Sequence, residues 1–257
     1  QKESPWALFL PIYLFLVLKK MHKAGFVNII GNPNVGKSTI FNSLTGMHQH
    51  TGNWPGKTVG SARGKMEAGN GKTVTLVDLP GTYSLLAHSP EEEVTRDFLL
   101  RGGADAVVIV CDATCLSRNL NLALQVLRVT RRVVVCVNLI DEAEKKGICI
   151  DSEALSGLLG VPVIGTNARR KKSVQRLKAE ILRCTERTET DLLPYPVSEE
   201  DVSALVSEAE RIATLCVIRK ERSVHDDPDR RIDRIVTGKR FGYPVMLLLL
   251  TLVLWLT

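Results

Sequence analysis

Eight residues carry the types and spacing needed to hold a phosphate chain: Gly31-Asn32-Pro33-Asn34-Val35-Gly36-Lys37-Ser38. Two glycines let the backbone wrap an anion, so that successive N–H groups and a helix N-terminus face it. Lys37 is expected to reach the outer phosphates and the Ser38 hydroxyl to join a Mg2+ shell, with Thr39 closing the binding run. Three further groups narrow the ligand. Asp78-Leu79-Pro80-Gly81 sets a carboxylate near the metal and a glycine N–H toward a γ-phosphate. Asn138-Leu139-Ile140-Asp141 offers the Asp141 carboxylate, an acceptor for guanine N1 and N2 donors that adenine lacks. Asn138 is expected to tie this loop back to the phosphate loop. In Thr166-Asn167-Ala168, a backbone N–H is expected to meet guanine O6. The ligand these groups predict is GTP or GDP.

Between the first two motifs lies a candidate switch, Gly52-Asn53-Trp54-Pro55-Gly56-Lys57-Thr58-Val59. Thr58 is the candidate to complete the Mg2+ shell when a γ-phosphate is bound, with Gly56 and Lys57 beside it at the nucleotide; Thr51 is the alternative. Glycines 52, 56 and 60 give the segment freedom to order and disorder, as a switch requires.

These groups work only if strands deliver them to one edge. Apolar runs at 26–30, 73–77, 132–137 and 161–165 read as strands, and each motif follows one of them. Residues 39–44 read as the helix after the phosphate loop. The expected fold is α/β: a P-loop GTPase (Ras-like) domain with a mixed, mostly parallel sheet. A small α-helical domain and the start of a transmembrane helix are expected to follow. Residues 174–184 read as the last GTPase-domain helix, and Leu192-Leu193-Pro194-Tyr195-Pro196 as a linker. Ser198-Glu199-Glu200-Asp201 then resembles a helix start, followed by an apolar stripe of Val202, Leu205, Val206, Ala209, Ile212, Ala213 and Cys216. The expected division is 1–23 an apolar extension, 24–185 the GTPase domain, 186–240 the helical domain and 241–257 the beginning of a first membrane helix.

Residues 243–257 are uncharged and apolar, but a full span needs roughly 20 such residues. Arg230, Arg231, Arg234, Lys239 and Arg240 lie just upstream and would put that side in the cytoplasm. The N-terminal apolar run has two open readings: a membrane-associated segment, or sequence preceding a natural start at Met21. The net charge of +6 suits a membrane face as well as a nucleic-acid surface. Six scattered cysteines without a CxxC pair read as buried, reduced thiols rather than disulfides or a metal site.

Gly31 to Ser38, Gly52-Asn53-Trp54-Pro55-Gly56, Asp78-Leu79-Pro80-Gly81-Thr82-Tyr83-Ser84-Leu85 and Asn138-Leu139-Ile140-Asp141-Glu142-Ala143-Glu144 together resemble the ferrous-iron transporter B (FeoB) family, from about residue 26 onward. The resemblance implies a cytosolic GTPase region joined to its own polytopic C-terminal membrane domain, which moves Fe(II) inward across the bacterial inner membrane. It further implies homo-oligomers and small cytosolic accessory proteins as partners, no nucleic acid, and a K+ held by Asn34 beside the phosphates. Leu139 stands where many GTPases have a lysine, and the family is apolar there too.

Many small GTPases orient the attacking water with a glutamine directly after D-x-x-G. Thr82 occupies that position here, which predicts slow hydrolysis or water held by backbone groups. The expected catalytic set is Lys37, Thr58, Gly81 and Asn34. Two alternatives remain open at this level: a soluble Era-like GTPase acting on ribosome or tRNA, and a regulatory GTP switch with negligible turnover. The first would need an RNA-binding module, and residues 186–240 offer neither a G-x-x-G clamp nor an aromatic stacking surface.

Overall fold

The computed structural model describes residues 25–46, 50–53, 60–69, 72–86, 90–100, 104–186 and 199–219, with five further residues between 243 and 255. Apolar, β-branched runs form strands β1 (Phe26–Gly31), β4 (Lys72–Asp78), β5 (Ala106–Asp112), β6 (Val133–Asn138) and β8 (Val163–Gly165). Strands β2 (His50–Asn53) and β3 (Gly60–Gly69) precede β4 in the chain. The sheet has seven strands in the order β2-β3-β4-β1-β5-β6-β8. Pairing is parallel from β4 through β8 and antiparallel for β2–β3 and β3–β4. This is the mixed, mostly parallel sheet of a P-loop GTPase domain.

Both faces of the parallel strands are covered, which is why they read as nearly continuous apolar runs. On one face, Ile40, Phe41 and Leu44 of α1 (Lys37–Thr45) and Val174, Leu177 and Ile181 of α6 (Lys171–Thr185) pack on Val27, Ile29, Val108, Val110 and Val134. On the other, Leu116, Leu120, Ala123 and Val126 of α3 (Leu116–Leu127) pack with Ile30, Val77, Ile109 and Val135. Leu99 of α2 (Pro90–Leu100), Ala143 of α4 (Ile140–Lys145) and Leu155 and Leu159 of α5 (Ser152–Leu159) join that second layer. β1 sits where the topology reverses, with β4 on one side and β5 on the other. In open α/β sheets, ligands bind outside the carboxyl ends of the strands at such a switch point.

The apolar stripe read downstream forms α7 (Glu199–Cys216). Leu205, Ala209, Ile212, Ala213 and Cys216 are buried, whereas Val206 is 39% exposed and marks the stripe's edge. The helix does not stand apart: Ala209, Ile212, Ala213 and Cys216 belong to the same buried layer as α3. Its C-terminus runs directly into β9 (Val217–Arg219), which pairs antiparallel with β7 (Ile148–Ile150). Residues through Arg219 accordingly form one compact unit, and the chain after it a second. α6 begins three residues earlier than the 174–184 reading, at Lys171.

Among the described residues no helix is long and apolar enough to cross a membrane. Most of 241–257 lies outside the described residues, as do 1–23, the linker at 192–196 and the switch residues Trp54, Gly56, Lys57 and Thr58.

Candidate functional site

The phosphate loop leaves β1 at Gly31 and closes on α1 at Gly36, whose φ of 84° is left-handed. A Cβ there would also lie 2.5 Å from Asn138 Nδ2, so conformation and space both require glycine. Asn34 takes the left-handed region as well, at φ 64°, a placement asparagine tolerates better than most side chains. Its exposed side chain makes no hydrogen bond among the described residues.

Lys37 is buried, and its Nζ donates to the carbonyls of Gly31 and Asn32, both at 3.1 Å. The ammonium is thus held inside the loop it will serve. Burial lowers its pKa, with the Asp78 charge offsetting part of the shift. Asp78 ends β4 opposite Ile29 of β1, which brings it beside the loop. Burial raises its pKa, opposed by the Lys37 charge and the Ser38 hydroxyl. Ser38 Oγ donates to Asp78 Oδ2 at 3.3 Å, while Asp78 Oδ1 is buried without a partner. An orphaned carboxylate oxygen beside a hydroxyl is a donor set that fits a hard divalent cation such as Mg2+.

The Asp78 segment is fastened to the loop by backbone bonds. Leu79 N donates to Ile29 O at 3.0 Å and Thr82 N to Gly31 O at 3.2 Å. Gly81 passes so close that a Cβ on it would stand 3.0 Å from Lys37 Nζ and 3.2 Å from Pro33. Thr82 is buried; its hydroxyl donates to Ser84 O at 2.6 Å and accepts from Ser84 N at 3.3 Å. It therefore points into the protein. Tyr83 is 45% exposed, with the Arg118 guanidinium 4.7 Å over its ring.

On the guanine side, Asn138 Nδ2 donates to Val35 O at 3.1 Å, the tie to the phosphate loop read from sequence. Leu139 follows at φ 61° and caps α4, so the half-buried Asp141 lies in that helix's first turn. Ile140 N donates to Thr166 O at 3.4 Å, which joins the two loops of this side. Thr166 N and Asn167 N are engaged by Val137 O and Ser173 Oγ, leaving Ala168 N as the one without a bond among the described residues. Ala168 O accepts from Ser43 Oγ of α1 at 3.1 Å.

Several supporting residues have no motif of their own. The Cys136 thiol, fully buried and pushed up to about 12, lies 3.0 Å from Thr166 Oγ1. Thr166 Oγ1 also donates to Val137 O at 3.3 Å. Gln125 of α3 accepts from Leu85 N at 2.8 Å and Ser84 Oγ at 3.0 Å. A polar residue on the buried face of a helix was the signal available in the sequence. Cys111 is buried within β5, and no metal-holding cluster of His, Cys, Asp or Glu occurs among the described residues.

The family model described as ferrous iron transport protein B matches residues 26–181. The Fe(2+) transporter FeoB of Helicobacter pylori is 37% identical over 231 residues, covering 86% of this chain and 35% of that protein. The Escherichia coli Fe(2+) transporter FeoB is 40% identical over 191 residues, covering 73% of this chain and 24% of that protein. The chain therefore spans about a third or less of these relatives' length. The cytosolic domain of the T. maritima FeoB iron transporter, in a GDP form, superposes with a TM-score of 0.69 at 28% identity, covering 77% of this chain and 99% of that one. Its GMPPNP form gives 0.68 at 28% identity, covering 76% and 99%. A GDP-bound variant of the S. thermophilus FeoB G domain gives 0.61 at 38% identity, covering 70% and 68%. With a phosphate loop at the strand switch point, a second loop tied to it and a family match across the whole sheet, the chain belongs to the ferrous iron transport protein B (FeoB) family.

Proposed function

We propose that this chain binds and hydrolyses GTP on the cytoplasmic side of the inner membrane, and that its nucleotide state is coupled to Fe(II) uptake through a membrane domain. The observation that carries the proposal is the Lys37–Asp78–Ser38 cluster, in which a buried ammonium held by the phosphate loop is electrostatically coupled to a carboxylate with one orphaned oxygen. The GDP and GMPPNP complexes of the T. maritima and S. thermophilus relatives support the nucleotide.

In this reading the loop from Gly31 through Thr39, including Asn32, Pro33, Val35 and Gly36, wraps the phosphates. Lys37 meets the outer ones with little reorganisation, since its amine is already fixed by two carbonyls. Ser38, Asp78 and Thr58 hold Mg2+ and Asn34 holds K+, cations that when bound neutralise charge developing on the phosphate oxygens. Gly81 directs its N–H at the γ-phosphate, with Leu79 and Pro80 setting its approach. Asp141 reads guanine N1 and N2, Leu139 and Ile140 pack beside the base, and Ala168 N donates to O6. Gly56 and Lys57 accompany Thr58 when the first switch closes.

The side chain directly after Gly81 is not available to orient water, because the Thr82 hydroxyl donates to Ser84 O. Hydrolysis is therefore slow, near the ~10⁻³ per second of unassisted GTPases, and rises with K+. The same observation favours a second reading, a GTP switch with negligible turnover. The wider proposal keeps 24–185 as the GTPase domain, 186–240 as a helical coupling region that includes α7, 241–257 as the start of a membrane helix and 1–23 as an extension. Its partners are the membrane domain, further copies of the chain and small cytosolic proteins.

Phosphate release from Mg2+·GTP, measured in K+ and in Na+ at equal ionic strength, tests the proposal. Several-fold faster release in K+ is expected. Release that does not rise above the protein-free rate in either salt would leave only the switch reading.

A further inference from the structure

α3 is an apolar helix with two polar exceptions on its buried face, Asn119 near its start and Gln125 near its end. Leu120, Leu122, Ala123 and Val126 are all fully buried, and so is Gln125 among them. Burying a primary amide costs a few kcal/mol unless its hydrogen bonds are met. A leucine would fill the same space without that cost, so the amide must be kept by what it binds.

What it binds is the segment directly after Gly81. Gln125 Oε1 accepts from the Leu85 backbone N–H at 2.8 Å and from Ser84 Oγ at 3.0 Å. Its Nε2 donates to Asn121 Oδ1 one turn earlier at 3.4 Å, which fixes the amide's orientation. Ser84 Oγ in turn accepts from Leu86 N at 3.1 Å. Following the chain backward, Thr82 Oγ1 holds Ser84 O and Thr82 N holds Gly31 O. A continuous run of hydrogen bonds thus leads from the phosphate loop, through residues 82 to 86, into the last turn of α3. Gly81 directly precedes that run, its backbone passing close to Lys37 and Pro33.

We infer that Gln125 is a positioning residue for the triphosphate state: it clamps Ser84 and Leu85 to α3 and thereby sets Gly81 N–H against the outermost phosphate. The inference rests on the GTP-binding reading above and deepens it. A diphosphate has no group at that position, so the clamp discriminates between nucleotides rather than strengthening both. That separates it from a structural role, since general loosening of the core would weaken GDP and GTP alike.

The test uses the whole 257-residue chain, with equilibrium binding of fluorescent GDP and of fluorescent GMPPNP as probes. Q125L removes both acceptor contacts at similar volume. It is expected to weaken GMPPNP about tenfold, one lost hydrogen-bond cluster of ~1.4 kcal/mol, and to change GDP less than about twofold. Q125E keeps the acceptor oxygens and is expected to recover GMPPNP binding to within about threefold of the parent. Ser84→Ala, at a half-buried site outside the core, removes one of the two donors and is expected to shift the GMPPNP-to-GDP ratio about threefold. Equal weakening of both nucleotides, or an unchanged ratio in Q125L, overturns the inference. If Q125L does not fold, an unchanged ratio in S84A overturns it alone. Failure of the parent chain to bind either nucleotide is a different result: it removes the GTP reading itself, and the clamp with it.

Discussion

The surroundings of Lys37 and Asp78 oppose the charged form of both. Burial drives each toward its neutral form, and the attraction between them offsets only part of that. A carboxyl whose folded pKa lies above its ordinary 3.8 contributes stability that is complete below that value and lost as pH rises through the raised one. Lys37, lowered from 10.5, contributes stability that is present above that value and lost as pH falls through the folded one. Burial thus opposes the charged form of each partner, and in the proposed complex phosphate offsets this at Lys37 and metal at Asp78. Asp78→Asn cannot titrate. The stability of the nucleotide-free parent minus that of Asp78→Asn is expected to shrink as pH rises from about 4 to 7, while Mg2+-dependent GTP affinity falls at least about tenfold in the variant. Urea melts across that range check the first part; a difference independent of pH would contradict it. The chemistry of these two side chains was legible because motif spacing fixes their neighbours. The inward turn of Thr82 was not, since a hydroxyl's choice between water and Ser84 O is made by the backbone path after Gly81.

The strands ahead of the motifs and the helices α1, α6 and α7 were read from apolar runs, but such a run names a buried face without naming its partner. The stripe from Leu205 to Cys216 predicted α7 and its inner face. It could not say that the face would close on α3, or that β9 would follow without a turn and pair with β7. β7 itself is only three residues, too short for alternation to be read. Leu139 is similar: the tetrad was visible, but not that its leucine caps α4 in the left-handed region, where a branched side chain is costly. The shared layer of α3 and α7 has a thermodynamic consequence. Ile212 is 2% exposed, so Ile212→Ala should cost about 2–4 kcal/mol. Because α7 belongs to the G-domain core, that loss is expected in the same single transition that releases bound nucleotide. Calorimetry with GDP present checks this. Two separated transitions, with the nucleotide-dependent one unmoved, would mean that the helix folds as its own domain.

At the scale of the whole molecule, the proposed coupling requires nucleotide state to control Fe(II) uptake. The matched transporters are about three to four times longer than the region shared with this chain, so the coupling is tested in the longer protein. The site offers a way to do so without damaging the machinery that handles phosphate. Asp141 accepts from guanine N1 and N2 in the proposed pose, and xanthine carries an oxygen where guanine carries its amino group. Asp141→Asn supplies an amide donor for that oxygen and removes the carboxylate that guanine needs. Loss of a charge-assisted pair with a buried partner left unmet is worth about 3 kcal/mol or more, roughly a hundredfold in affinity. The variant is therefore expected to exchange GTP for xanthosine triphosphate, with Lys37, Ser38 and Asp78 unaltered. Membrane vesicles carrying it should take up Fe(II) with internal xanthosine triphosphate and not with GTP, the reverse of the parent. Uptake by the variant that ignores both nucleotides would show that the iron path opens without this domain, and binding of xanthosine triphosphate without uptake would place the failure beyond the site, between α7 and the membrane.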